Sequence, residues 1–290
     1  MDLLPGLEER PLEGRGARIR LFAGGAGPRL LLVHGLGGAA WNFSELAPLI
    51  LPGRRLLVPD LPGHGGSSPL PEASTLAGFA DALAAVCRAD GPGAVDVVGH
   101  SLGGAVAVEL AVRHPELVRR LLLAAPAGIS GARRSTRAAV HAVGLVRPGR
   151  LAGRYAVEVA RSRRLRRIVF GLLVSNPDAL GGRAVHGFLD GPPLHADSLA
   201  AGLALVAGDQ RRQLEHVRCE TLVLWGARDR QVPLEDGVEY ARRLRAPLRV
   251  IADCGHLLIG ERPDVCAAAV GECFGDGVAG EARGLPAPHP

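Results

Sequence analysis

Six short apolar runs punctuate the chain: Leu30 to Val33, Leu56 to Val58, Val95 to Val98, Leu121 to Ala124, Leu222 to Trp225 and Leu248 to Ile251. Each is closed off by Gly, Pro or charge, and the runs are continuous rather than alternating. That is the pattern of strands buried on both faces of a parallel sheet. Between them the period lengthens. Thr75 to Arg88 sets Leu76, Phe79, Ala80, Leu83 and Val86 on one helical face, and a second helix is predicted from Leu102 to Arg113, ahead of Pro115. Strands alternating with helices predict an α/β fold with an open, mostly parallel, doubly wound sheet, whose ligands bind beyond the carboxyl ends of the strands.

The rhythm breaks after Ala125. From Ile129 to Gly208 the strand runs vanish and the pattern is helical, with breaks at Pro148, Pro177 and Pro192-Pro193. A stretch of that length inside a compact domain is too long for a structureless loop. It predicts an inserted helical cap, giving a first core segment at 1–128, the cap at 129–208, a second core segment at 209–274 and a flexible tail at 275–290 rich in Gly, Ala and Pro.

Composition narrows the field. The chain has 290 residues, 47% hydrophobic and 22% charged, the balance of a folded globule. All 34 basic residues are Arg, and the net charge is +5. Aromatic residues make up only 3%, with no basic stretch interleaved with stacking rings, so nucleic acid is not an expected partner. The charge is uneven: 11 arginines and a single acid, Glu158, lie between Gly131 and Arg167, so the remainder is net acidic. Such a run ordinarily faces water; the sharper expectation is a cap face that steers anionic substrates or docks on an acidic surface. The first residues lack the basic and apolar regions of a secretory signal, and no apolar run of about 18 residues occurs, so the expectation is a cytoplasmic protein without a transmembrane segment. Five cysteines with no C-x-x-C pair predict buried free thiols rather than disulfides or a metal site.

The chemistry gathers at predicted strand ends. Val95-Asp96-Val97-Val98 runs into Gly99-His100-Ser101-Leu102-Gly103-Gly104 and then a helix. This is G-x-S-x-G in a strand, turn, helix context, which projects a serine hydroxyl from the sheet edge on a strained turn. A serine needs a base and an orienting acid. Asp229 follows the run Leu222 to Trp225, and His256 follows Leu248 to Ile251, in the chain order Ser, Asp, His. The N–H groups of Leu102 and of Leu36, in the turn His34-Gly35-Leu36-Gly37-Gly38, could both face a developing oxyanion. Asp236 is expected inside the next helix, and Asp253 too close to His256 in sequence, so neither competes well with Asp229. His100 is expected to point away from Ser101, and Cys254 to be a small buried hydrophobe.

Together His34-Gly35, Ser101, Asp229 and His256 make the sequence resemble the capped α/β-hydrolases of the Gly-His-Ser-Leu-Gly-Gly type, from the early strands to the helix after His256. The resemblance implies that His34 and His64 brace their loops. It also discriminates between reactions. Haloalkane dehalogenases and epoxide hydrolases have Asp where Ser101 stands. C–C hydrolases of meta-cleavage products tend to have Asn and Trp where His100 and Leu257 stand; cofactor-free haloperoxidases and proline iminopeptidases differ at the elbow. What remains is a serine hydrolase cleaving small carboxylic esters of short to medium acyl chain through an acyl-enzyme, without cofactor or metal. Gly35, Trp41, Val232 and Leu257 are the expected substrate-binding residues. The alternatives are a C–C bond hydrolase, an acyltransferase using the same triad, or a ligand-binding protein on a hydrolase fold.

Overall fold

The computed structural model describes residues 2–130, 148–191 and 194–275. Its eight strands are β1 (Glu8–Gly14), β2 (Ala17–Gly25), β3 (Arg29–Val33), β4 (Arg55–Pro59), β5 (Val95–His100), β6 (Val118–Ala124), β7 (Glu220–Gly226) and β8 (Leu248–Ile251). They form one sheet in the order β1-β2-β4-β3-β5-β6-β7-β8, parallel from β4 through β8. The six predicted runs are β3 to β8. The pair β1 and β2 is an antiparallel extension without a comparable signal, because β1 is mostly exposed and carries Pro11, as only an edge strand can. Arg15 and Gly16 turn that hairpin with φ of 50° and 72°, the two positive values a tight type I′ turn needs.

Two helices flank the strand that carries the candidate nucleophile: α1 (Leu76–Asp90) and α2 (Leu102–Arg113). Thr75 caps α1, its hydroxyl accepting from Gly78 N–H at 2.9 Å. After β3 the chain moves outward to β4, then returns past β3 to β5 and progresses the other way. The two directions diverge between β3 and β5, the crevice where open α/β sheets bind ligands. Register keeps the strand ends level: Val33 faces Gly99, His100 faces Ala124, Ala124 faces Leu224, and Gly226 faces Ile251.

Between β6 and β7 lie the helices of the insertion: α3 (Pro148–Gly153), α4 (Ala156–Arg161), α5 (Arg163–Phe170), α6 (Gly182–Leu189) and α7 (Ser198–Ala207). Two more, α8 (Leu234–Leu244) and α9 (Pro263–Phe274), complete the core. The sheet and its flanking helices share one large apolar cluster. The insertion has a second, smaller one, with Ala156, Val159, Phe170, Val174, Leu180 and Val185 among its members. Leu257 belongs to this second cluster although it follows β8. Arg154, Arg161, Arg163, Arg164 and Arg167 are exposed on the insertion, while Arg133, Arg134, Arg137 and Arg147 lie outside the described residues, as does the tail 276–290. The cysteines are all free, but Cys219 and Cys273 are half-buried rather than buried, since each packs at the margin of the core cluster. No helix among the described residues is long and apolar enough to cross a membrane.

Candidate active site

Ser101 begins where β5 ends. Its backbone is held at φ 54°, ψ −116°, a left-handed conformation that a side-chain-bearing residue adopts only when the surroundings enforce it. The enforcement is close packing of strand against helix. A Cβ on Gly103 would overlap the Val33 and His34 carbonyl oxygens, and one on Gly99 would come within 2.5 Å of the Gly103 carbonyl oxygen. Glycine at both positions lets α2 start directly behind the serine.

Three side chains from three loops meet here. His256 Nδ1 lies 2.7 Å from Asp229 Oδ2, and His256 Nε2 lies 3.0 Å from Ser101 Oγ. Because a carboxylate only accepts, Nδ1 carries the ring proton and Nε2 is free to accept from the serine hydroxyl. The Asp229 side chain is wholly enclosed, and its other oxygen accepts from the N–H groups of Gln231 at 2.8 Å and Val232 at 2.9 Å. These three contacts fix the carboxylate's orientation. Asp236 is occupied elsewhere, accepting from Ser130 N–H and hydroxyl, and Asp253 pairs with Arg228 at the surface.

Donors for an oxyanion stand nearby. Leu102 N–H is in the first turn of α2, where helix donors have no intrahelical acceptor, at the positive end of the helix dipole. The β3 turn passes alongside: a Cβ on Gly35 would sit 3.1 Å from Ser101 Cβ, so Leu36, the next residue, follows at the serine's flank. His34 braces this turn, accepting from Leu61 N–H at 2.9 Å through Nε2 and donating through Nδ1 to the Gly35 carbonyl at 2.8 Å. Burial pushes His34 down to about 3, so it stays neutral in this role. His64 is also buried and held well below its ordinary value by desolvation, its Nδ1 3.1 Å from the Pro62 carbonyl.

The other expected contact residues separate. Leu257 is buried beside the insertion's apolar cluster, and Val232 supports Asp229 and accepts from Trp225 Nε1–H at 3.3 Å. Trp41 turns toward the antiparallel side of the sheet, its ring 4.5 Å from the Arg20 guanidinium carbon and 6.3 Å from the Phe22 ring. Cys254 is buried, its thiol pushed up by desolvation, which keeps it unreactive.

Two residues matter more here than the sequence suggested. His100 does not merely point away; its Nε2 lies 2.9 Å from the His256 carbonyl oxygen, with the two rings 5.1 Å apart. Burial pushes it down to about 3, so it remains an uncharged donor beside His256. Glu261 ties the His256 loop to the insertion, accepting from Gly255 N–H at 2.7 Å and from Ser175 and Asn176 N–H at 2.7 and 2.9 Å. No sequence motif marks this glutamate. The Leu173 carbonyl completes the tie by accepting from His256 N–H at 2.7 Å and Leu257 N–H at 3.2 Å. Among the described residues no group of three or more His, Cys, Asp or Glu is placed to hold a metal ion.

Comparison with known proteins follows the same lines. The chain is 34% identical over 253 residues to a pimeloyl-[acyl-carrier protein] methyl ester esterase of Aromatoleum aromaticum, covering 84% of this chain and 96% of that one. It is 31% identical over 283 residues to a 2-hydroxymuconate semialdehyde hydrolase of a Pseudomonas species, covering 91% and 92%. Among solved structures, an esterase from Exiguobacterium antarcticum superposes with a TM-score of 0.73 at 18% identity, over 91% of this chain and 98% of that one. The sequence profile of the alpha/beta hydrolase fold matches residues 28–263, and the chain belongs to that family.

Proposed function

We propose that the protein hydrolyses carboxylic esters of short to medium acyl chain, with Ser101 as nucleophile, His256 as general base and acid, and Asp229 as the orienting carboxylate. The observation that carries this reading is the unbroken chain from Asp229 Oδ2 through His256 to Ser101 Oγ, at 2.7 and 3.0 Å. His256 Nε2 takes the hydroxyl proton as Ser101 Oγ attacks the ester carbonyl. The tetrahedral oxyanion is stabilised by the N–H groups of Leu36 and Leu102. His256 then gives its proton to the departing alkoxide, leaving an acyl-serine. Water, deprotonated by the same nitrogen, releases the acid and restores the serine.

The 34% identical methyl ester esterase supports an ester substrate. In this reading the insertion, taken as 129–208, walls the acyl pocket, with Leu36 and Leu257 on the core side and Gly35 and Val232 around it, while Trp41, packed on Arg20 and Phe22, is left out of the wall. The exposed arginines of α4 and α5 favour an anionic substrate or an acidic partner surface approaching from the cap side. A second reading, hydrolysis of a C–C bond in a meta-cleavage type product, is supported by the 31% identical semialdehyde hydrolase. Side-by-side turnover of p-nitrophenyl esters and of a dienoate substrate separates the two. Replacing Ser101 by Ala is expected to lower p-nitrophenyl ester turnover by about three orders of magnitude or more and to abolish labelling by a fluorophosphonate probe. Turnover within tenfold of the parent would refute the assignment.

A further inference from the structure

A cleft of about 660 Å³ opens beside α2, away from Ser101, Asp229 and His256, none of which lines it. Its walls come from the 69–76 loop, from α7 and from the segment that follows α7. The volume is in the range of small-molecule sites. Its chemistry is one-sided. Four carboxylates, Glu72, Glu109, Asp197 and Asp209, line it together with apolar side chains such as Leu70 and Leu203, and no arginine or histidine does.

At the rim the charges are answered: Glu72 pairs with Arg15 and Asp209 with Arg211. Deeper in they are not. Glu109 is 8% exposed on α2 and makes no hydrogen bond or ion pair, because the nearby Arg113 is committed to Asp81. Burial pushes its carboxyl up, and the pull of Arg113 offsets this only in part. A neutral group nearby lacks a donor outright. Gln210, 2% exposed and lining the same cleft, has a buried Oε1 with no hydrogen-bond partner. A buried acceptor without a donor is rare in folded proteins, so Gln210 Oε1, in the cleft where no protein donor meets the Glu109 carboxylate, marks the site as short of donors. Asp197 adds a third acceptor, since only its Oδ1 is used, by Ala200 N–H in capping α7.

From this unmatched acceptor set we infer that the cleft binds an organic cation bearing N–H donors on a short aliphatic stem, an alkylammonium or diamine, with its charge at Glu109 and its stem against Leu70 and Leu203. The site bridges α2 of the core and α7 of the insertion, and it is separate from the candidate catalytic centre. Isothermal titration with 1,4-diaminobutane, with 1,4-butanediol as the neutral control at matched ionic strength, tests it. Saturable one-site binding of the diamine is expected, with no binding of the diol. Glu109→Gln, which keeps the shape and removes the charge, should weaken the diamine by about tenfold or more. Should that variant fail to fold by circular dichroism, Ala204→Phe decides instead: it leaves every carboxylate in place, fills the cleft, and should abolish binding. Absence of saturable diamine binding to the parent protein, binding of the diol, or undiminished binding to the folded variant would overturn the inference.

Discussion

Along β5 every residue from Val95 to His100 is buried, whereas along α5 only Phe170 is, and Ile168 stands 78% exposed among arginines. The two regions obtain their order differently. The sheet core draws on one continuous apolar cluster and on buried polar groups whose partners are fixed. Asp96, wholly buried, accepts from Arg54 at 2.8 Å and from Arg119 at 2.8 and 2.5 Å, at the opposite end of β5 from Ser101. The insertion draws on a small cluster of its own and on main-chain ties to the His256 loop. The larger cluster gives the core more buried contacts to lose on local opening than the insertion has.

That contrast can be broken at several points. The largest stability effect is expected from Asp96→Asn, which leaves Arg54, only 3% exposed, without a charged partner. Removing one member of a buried ion pair costs about 3–5 kcal/mol, so the urea midpoint of the whole protein should fall. A loss under 1 kcal/mol would mean that the core tolerates an uncompensated charge. Next is Phe170→Ala, expected to loosen the insertion by about 3 kcal/mol. Hydrogen exchange should accelerate in α4 to α6 more than in β3 to β7; equal acceleration in both would show that core and insertion unfold as one unit.

Acid should discriminate the regions more gently. His34 and His100 are pushed by burial down to about 3, and His64 well below its ordinary value of 6.5. Unfolded imidazoles therefore take up protons below about 6.5, while folded His34 and His100 do not until near 3 and folded His64 stays neutral well below its ordinary value. The unfolded state binds more protons throughout that window, so stability is full above it and declines as pH falls through it. Unfolding midpoints measured between pH 7 and 4 should show this slope, reduced by one proton in His100→Gln; a flat profile would contradict neutral buried imidazoles. The smallest effect belongs to the insertion's surface. Arg164→Glu should change stability by no more than about 0.5 kcal/mol. If the basic face steers anionic esters, the same variant lowers their kcat/KM at low salt, and a salt-independent parent value would exclude steering.

The same division governs what the sequence disclosed. Buried parallel strands need apolar side chains on both faces, so β3 to β7 stood out as runs; β8 was read the same way but is an edge strand in which only Ile251 is buried, and Gly99 to Gly104 marked the elbow through the glycines that close packing demands. Asp229 and His256 could be located because each follows such a run. The edge strand β1 was not visible, since an exposed edge needs no apolar alternation, whereas β2 carries its signal as alternation, with Ala17, Ile19 and Leu21 buried between Arg18 and Arg20, rather than as a continuous run. Nor was Glu261, whose task is to accept three backbone N–H groups, because any carboxylate of suitable reach would do and spacing alone does not single it out. The placement of Trp41 against Arg20 and Phe22 depended on a hairpin that had not been foreseen.

The Leu173 carbonyl receives the N–H groups of both His256 and Leu257, and Glu261 spans the same seam. An insertion attached in this way is not an interchangeable cassette. Grafting another relative's segment between β6 and β7 would also withdraw the acceptor that seats the backbone of His256. A chimera should therefore be designed with its seam outside Leu173 to Asn176, keeping that strip with the His256 loop even though it belongs by sequence to the insertion.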